Sequence, residues 1–205
     1  ATGQPARGNG EAVAAELYFK RRASVLESKA NMSRVILPDP DRAILARRDI
    51  IVADLRRLPG AEALIADEIG RRTYETDALT AYRRLPLVVV LPSTTEEVAS
   101  VLRYCHQYGI KVVARGAGTS LSGGALPAED AVLIADSRMN RVLDIDYVNR
   151  VARVEVGITN LAISETVKAA GYFYAPDPSS QLACTLAANI GMNSGGAHCL
   201  NYGVT

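Results

Sequence analysis

The stretch Arg115-Gly116-Ala117-Gly118-Thr119-Ser120-Leu121-Ser122-Gly123-Gly124 follows directly on a short apolar run and places four glycines within ten residues. Glycine reaches positive φ at no steric cost and lets the backbone come close to a ligand. Successive amides in such a stretch can therefore turn inward as an anion-holding nest. Thr119, Ser120 and Ser122 add hydroxyl donors and Arg115 a positive charge, a set suited to a diphosphate. Taken alone, the same residues also fit a surface loop with a glycine-rich turn. The dinucleotide fingerprint with three spaced glycines is not met, because its third glycine falls on Leu121 and no helix pattern starts there. A lysine-bearing phosphate loop is also ruled out, since no Gly-Lys-Ser/Thr occurs.

Working outward, Leu87-Val88-Val89-Val90-Leu91 is a valine-rich run suited to a strand buried on both faces. Ser93-Thr94-Thr95-Glu96-Glu97 opens a helix in which Thr94 caps the first turn and Glu97 returns the bond. Val98, Val101, Leu102 and Cys105 then supply one apolar face, and Gly109 ends the helix. Lys111 to Ala114 returns as a strand, so residues 87–114 read as a β-α-β unit with the crossover a parallel pair requires. Further strands are expected at 131–135, 142–145 and 151–156, the last with Arg153 and Glu155 on a wet face. A second helix is expected at 159–170, with Ile163, Val167 and Ala170 on one side and a stop at Gly171. The fold class that follows is mixed α+β, without internal repeats.

Upstream, Ile44, Leu45, Ile51, Leu55 and Leu58 recur at near-helical spacing before Pro59-Gly60. Residues 1–31 are poor in apolar side chains at their start and rich in breakers, and read as a leader outside the fold. The organisation expected is a flexible leader over 1–31, a helical lead-in over 32–85 and the body of the domain over 86–205.

Composition narrows the function classes. The 23 Lys and Arg against 22 Asp and Glu leave a formal charge of +1, which gives no electrostatic reason to expect nucleic acid as a partner. Cys105, Cys184 and Cys199 are too few and too scattered for a disulfide framework, a zinc site or an iron–sulfur cluster. The apolar runs fall far short of the roughly 20 residues that cross a bilayer, and the amino terminus has no apolar signal core, so a cytoplasmic location is expected.

A second patch, Tyr174-Ala175-Pro176-Asp177-Pro178-Ser179-Ser180-Gln181, precedes Thr185 and Asn193-Ser194-Gly195-Gly196. Its prolines fix an extended chain, and its hydroxyls, carboxylate and later glycines allow another close backbone approach, although turn chemistry accounts for much of it. With both patches and the run 193–205 (Asn-Ser-Gly-Gly-Ala-His-Cys-Leu-Asn-Tyr-Gly-Val-Thr), the chain resembles the vanillyl-alcohol-oxidase-type FAD domain. More narrowly, it resembles the flavin subunits of bacterial glycolate oxidases and their D-lactate and D-2-hydroxyglutarate dehydrogenase relatives.

The resemblance implies a two-subdomain FAD-binding domain, incomplete here at its C-terminal end. In it Arg115, Gly116, Ala117, Gly118, Thr119, Ser120, Gly123 and Gly124 wrap the FAD diphosphate. Pro176, Asp177, Pro178, Thr185 and Gly195 belong to the same cofactor site, the last three against the adenosine or flavin portions. Ala187-Ala188 stand where the family usually has paired glycines, which puts the local geometry in question. No histidine lies between Arg115 and Gly124, so the FAD is expected to be non-covalent. His106 reads as a surface residue, and His198 sits in a turn that approaches the flavin without being assigned as a base.

The implied reaction is oxidation of a 2-hydroxy acid, glycolate or D-lactate, to the 2-oxo acid by hydride transfer to flavin N5. The base and the carboxylate-binding residues are expected beyond Thr205, so no catalytic residue and no metal ligand is assigned, and these 205 residues alone are expected to be inactive. Implied partners are an iron–sulfur subunit and a second flavin-type subunit, with membrane quinone downstream and an indirect association with the inner membrane. A flavin-binding accessory or electron-transfer subunit without its own substrate chemistry is the alternative.

Overall fold

The valine-rich run forms a strand whose every residue is buried, and the protein is built around it. The computed structural model describes residues 37–58 and 63–205, of which Pro40–Thr205 make one compact unit. The leader expected over 1–31 lies outside the described residues. In chain order the elements are α1 (Arg42–Ala46), α2 (Arg48–Leu55), β1 (Leu64–Ile65), α3 (Glu68–Arg72), β2 (Val88–Val90) and α4 (Thr95–Tyr108). They continue with β3 (Lys111–Arg115), β4 (Ala131–Ala135), β5 (Val142–Asp146), β6 (Val151–Val154), α5 (Asn160–Val167), α6 (Leu186–Met192) and α7 (Cys199–Tyr202).

The first sheet has the order β1-β2-β4-β3. β2 and β3 both run parallel to β4, with Val89 and Val113 each opposite Leu133, and β1 is antiparallel on the outer edge of β2. The β-α-β unit is therefore present, but its two strands do not pair with each other as the sequence suggested. Ala131-Val132-Leu133-Ile134-Ala135 is buried at every position and takes the central place, because only a strand apolar on both faces can be covered on both sides. Leu133→Ala would remove a fully buried side chain at a cost of about 2–5 kcal/mol.

One face of this sheet carries Val88, Val90, Val132 and Ile134, and packs on Ile44, Ile51, Val52 and Leu55 of the first two helices and on Val101 and Cys105 of α4. The lead-in is thus helical as expected, and it also supplies β1. Thr94 caps α4 by accepting from the Glu97 amide (3.2 Å), while Glu97 accepts from the Ser93 amide (2.7 Å), one residue earlier than a standard capping box. Leu102, expected on the core face, is instead exposed. The helix is rotated so that Tyr104 packs inward and donates to Asp54 of α2 (3.0 Å). Gly109 closes the helix at φ +65°.

β5 and β6 form a separate antiparallel hairpin with a register irregularity between Val142 and Asp144. The third expected strand stops at Val154 rather than Val156, and Glu155 is buried instead of wet. It accepts from the backbone amide of Arg141 (2.8 Å) and from its guanidinium (2.7 and 3.1 Å), which holds the Glu155 carboxyl below its usual range. A charge at this depth is tolerable only with such partners. Val156 and Ile158 turn away from the hairpin, and their carbonyls accept from Ala187 and Leu186, the exposed first-turn amides of α6. α5 ends at Val167 and a single 3-10 turn carries the chain to Gly171 at φ +80°, leaving Ala170 exposed rather than on the packed face.

Candidate functional site

Parallel strands deliver their C-terminal ends to one edge of a sheet, and β3 delivers Arg115 and the glycine loop there. Gly118 and Gly123 have φ of +75° and +80°, the conformation that glycine alone enters without strain. Ser120 Oγ accepts from the Ser122 and Gly124 amides (both 3.2 Å), folding the loop back on itself. Among the described residues, nothing accepts from the consecutive amides of Ala117, Gly118, Thr119, Ser120 and Leu121. Unpaired amides in series at the rim of a cavity are what an anion-binding nest requires.

The loop forms one wall of a cavity of about 560 Å³, and α6 forms the other. Of the predicted residues, Arg115, Gly116, Gly118, Thr119, Ser120 and Gly124 line this cavity. Ala117 and Gly123 lie in the same loop but off the lining, and Pro176, Asp177, Pro178, Thr185 and Gly195 do not line it either. The opposite wall holds Ala187, Ala188, Asn189 and Met192, with Ser180 and Ser194 beside them. Of these residues the sequence points to Ala187-Ala188, as a departure from paired glycines, and to Ser180 and Ser194 within the second patch, but not to Asn189 or Met192. Arg115 is the single charged residue in the lining, so the polar character of the cavity is mainly that of amides and hydroxyls.

Below the loop, close packing explains several residues. A Cβ at Gly116 would overlap Thr185 Oγ1 and come within 2.7 Å of the Ala188 methyl, and one at Gly124 would meet Met192 Sδ at 2.9 Å. Ala188 thus fills the space directly beneath Gly116, which answers what a methyl group does at this position: it packs the helix against the loop. Thr185 donates its hydroxyl to Asp136 Oδ2 (2.9 Å). The other oxygen of Asp136 is buried with no partner among the described residues, and burial pushes this carboxyl above its usual range while the Thr185 bond pulls the other way.

The second patch is held by its own network. Asp177 pairs with His198 Nδ1 (2.6 Å) and accepts from the His198 amide (3.3 Å), and the His198 contact keeps the Asp177 carboxyl below its usual range. A Cβ at Gly196 would overlap the Asp177 carbonyl, and one at Gly195 would meet Cys199 Cβ at 2.8 Å and Val204 Cγ1 at 3.1 Å. Buried Asn189 donates to Asn160 Oδ1 (2.7 Å) and to Cys184 Sγ (3.2 Å), and Asn160 donates to the Pro176 carbonyl (3.1 Å). These asparagines fix α6 to the proline-rich segment and were not singled out in the sequence. Asn160 reads there as an ordinary first-turn polar residue, and Asn189 sits in a short helix without a clear apolar period.

Residues 86–205 match the family model described as FAD binding domain. The chain is 49% identical over 169 residues to glycolate oxidase subunit GlcD of Escherichia coli K12, covering 82% of this chain and 33% of that protein. It is 31% identical over 156 residues to a D-lactate dehydrogenase of Anaerostipes hadrus, covering 76% and 32%. Among solved structures, alkyldihydroxyacetonephosphate synthase superposes with a TM-score of 0.69 at 23% identity, over 83% of this chain and 33% of that one. The chain spans about a third of the length of the curated relatives it matches.

Proposed function

Because this chain belongs to the FAD-binding domain family, we propose that its 115–124 loop cradles the diphosphate of a non-covalent FAD in an enzyme that oxidises a 2-hydroxy acid, glycolate or D-lactate. The observation that carries this reading is the run of amides from Ala117 to Leu121 with no acceptor among the described residues, in a loop of which Gly118 to Leu121 line a cavity whose far wall is α6. A cavity of about 560 Å³ is of the size that ligand sites occupy. Apart from Arg115 the lining is neutral, which fits a group recognised by amide and hydroxyl donors.

When bound, the flavin supplies the acceptor for the hydride that leaves the substrate carbon. The residues of this chain bind and orient. Ala117, Gly118, Thr119 and Ser120 present amides to the diphosphate, with Gly116, Gly123 and Gly124 giving the loop its path. Pro176, Asp177, Pro178, Thr185 and Gly195 shape the segments that flank the adenosine and flavin ends. Ser180 and Ser194, next to these residues in sequence, line the cavity and support that assignment. Non-covalent attachment is supported by the lack of a histidine in the 115–124 loop and by a lining that, among the described residues, includes neither His106, His198 nor a cysteine.

The substrate's base and carboxylate-binding groups lie in parts of the full-length protein outside these residues. Electrons pass on to partner subunits, which the subunit name of the E. coli relative supports; an iron–sulfur subunit and a second flavin-type subunit are the partners that the family resemblance implies. The protein works in the cytoplasm, reaching the inner membrane only through quinone-linked partners. Among the described residues no helix is long and apolar enough to cross a membrane.

The test is made on the full-length protein. Acid precipitation should leave the yellow flavin in the supernatant, and anaerobic glycolate or D-lactate should bleach the flavin absorbance. Colour retained in the pellet would overturn the attachment chemistry. A flavin that no 2-hydroxy acid reduces would instead indicate an accessory electron carrier.

A further inference from the structure

Arg115 was expected to lend its charge directly to the diphosphate, but its contacts point elsewhere. Its Nη1 donates to the Thr76 carbonyl (2.6 Å) and to the Ala125 carbonyl (3.2 Å). Its guanidinium also lies 5.6 Å from the centre of the Tyr74 ring. The same guanidinium fills the space beneath Gly118, where a Cβ would overlap it. The Ala78 amide donates to the Gly118 carbonyl (2.9 Å), so segment 74–78 grips the loop from two sides. We propose that Arg115 is a positioning residue for the cofactor: it latches segment 74–78 under the glycine loop and thereby holds the amides of 117–121 open, without touching the diphosphate.

This inference rests on the cradle reading above and deepens it. Nη1 alone holds both carbonyls while the rest of the planar, delocalised guanidinium lies over the Tyr74 ring, a flat contact that the compact point charge of a lysine ammonium does not reproduce. Arg115 is half-buried, and burial lowers its pKa while nearby Asp77 and Tyr74 raise it; a guanidinium stays protonated in proteins. Asp77 is buried, with one carboxylate oxygen accepting from the Leu79 amide (3.0 Å) and the other without a partner among the described residues. The charge of Arg115 thus steadies segment 74–78 as well as the loop. Gly118 is required both by its φ of +75° and by the side chain packed beneath it.

The experiment uses the full-length protein, stripped of flavin, and compares hydrogen exchange and FAD affinity in wild type, Arg115→Met and Arg115→Lys. In the flavin-free protein, Arg115→Met should raise exchange in both 74–78 and 116–124, and FAD should bind about 10- to 100-fold more weakly, the range for losing one charge-assisted hydrogen bond. Arg115→Lys should rescue neither readout. Unchanged exchange in the flavin-free variant, together with affinity restored by lysine, would make Arg115 a direct phosphate ligand and overturn the proposal. If Arg115→Met does not fold, Tyr74→Leu decides. It should raise exchange at 116–124 to a lesser degree, and no change there would overturn the latch. Exchange in the flavin-free protein is read without cofactor, so a wild type that binds no FAD would sink the cradle reading while leaving the latch separately measured.

Discussion

The two glycine-bearing loops at the edge of the cavity look alike in sequence and do different work. In the first, Gly118 and Gly123 sit at positive φ and a row of amides is left without acceptors among the described residues. In the second, the Ser194 amide is bonded to the Asn189 carbonyl (2.9 Å) and the Thr205 amide to the Ser194 carbonyl (2.9 Å). There Gly195 and Gly196 are glycines because Cys199, Val204 and the Asp177 carbonyl leave no room for a Cβ. Glycine provides reach and curvature in one loop and closeness in the other. Substitutions should therefore be read as ligand affinity in the first and as stability in the second.

The largest separation is expected at Gly118. Valine there meets a strain of about 1–3 kcal/mol for a branched residue at positive φ, overlaps Arg115, and misaligns neighbouring amides. Two lost donors to a charged acceptor, at roughly 1.5–3 kcal/mol each, correspond to about two to four decades of FAD affinity. Flavin absorbance per mole, circular dichroism and a melt repeated in excess FAD check this, since cofactor binding itself stabilises the fold. Full occupancy at micromolar FAD would mean that the first loop, like the second, is glycine-rich for packing and not for the cofactor.

Gly196→Ala should behave in the opposite way. Its Cβ would be driven into the Asp177 carbonyl, an overpacking worth about 1–3 kcal/mol of stability. The melting temperature should drop, while the folded fraction binds FAD within a decade of wild type. A selective loss of flavin with an unchanged melt would show that the second loop also touches the cofactor directly.

This difference between the loops marks where sequence reading succeeds and where it stops. The strand-forming run at 87–91, the cap at Thr94, the stop at Gly109 and the glycine loop itself are local signals, and each lies where the local pattern puts it. Long-range choices are not local. The insertion of β4 between β2 and β3 depends on Ala131–Ala135 being apolar on both faces, which the sequence shows without saying which neighbours will cover it. The capture of the Arg115 guanidinium by the Thr76 carbonyl, the burial of Glu155 on Arg141 and the asparagine pair at 160 and 189 depend on partners 14 to 39 residues away. Glycine density marks both loops equally, because the composition of a loop does not say whether the neighbour of a missing Cβ is a ligand or another part of the chain.

A smaller effect separates conformation from crowding within the first loop. Gly123 is at φ +80° with no atom within 4 Å of a would-be Cβ, so Gly123→Ala meets only the left-handed backbone penalty, about 1–2 kcal/mol. Gly116→Ala meets Thr185 and Ala188 instead. A double variant, Gly116→Ala with Ala188→Gly, should recover part of the stability lost by Gly116→Ala alone, and no recovery from Ala188→Gly would mean that Thr185 is the barrier.

The smallest effect tests the support beneath the loops. Asp136 holds the Thr185 hydroxyl (2.9 Å) through one oxygen, and its other oxygen is buried without a partner among the described residues. Burial raises its pKa in the folded protein. Between its ordinary value near pH ~4 and that higher folded value, the native state binds more protons than the unfolded one. The contribution of Asp136 to stability is therefore fully present below the ordinary value and is lost as pH rises through the folded one. An asparagine side chain in its place cannot ionise, and its amide oxygen can still accept from Thr185. Asp136→Asn should therefore gain on wild type as pH is raised from about 4, and the gain should level off once the wild-type carboxyl is fully ionised. Melting temperatures of the two proteins across that range give the difference, in which the other titrating groups largely cancel. A difference that stays flat with pH would mean that burial does not hold the proton on Asp136. FAD affinity should stay within a decade, because Thr185 keeps its place under Gly116. A larger loss would bring Thr185 into contact with the cofactor and make the floor beneath the first loop part of the site.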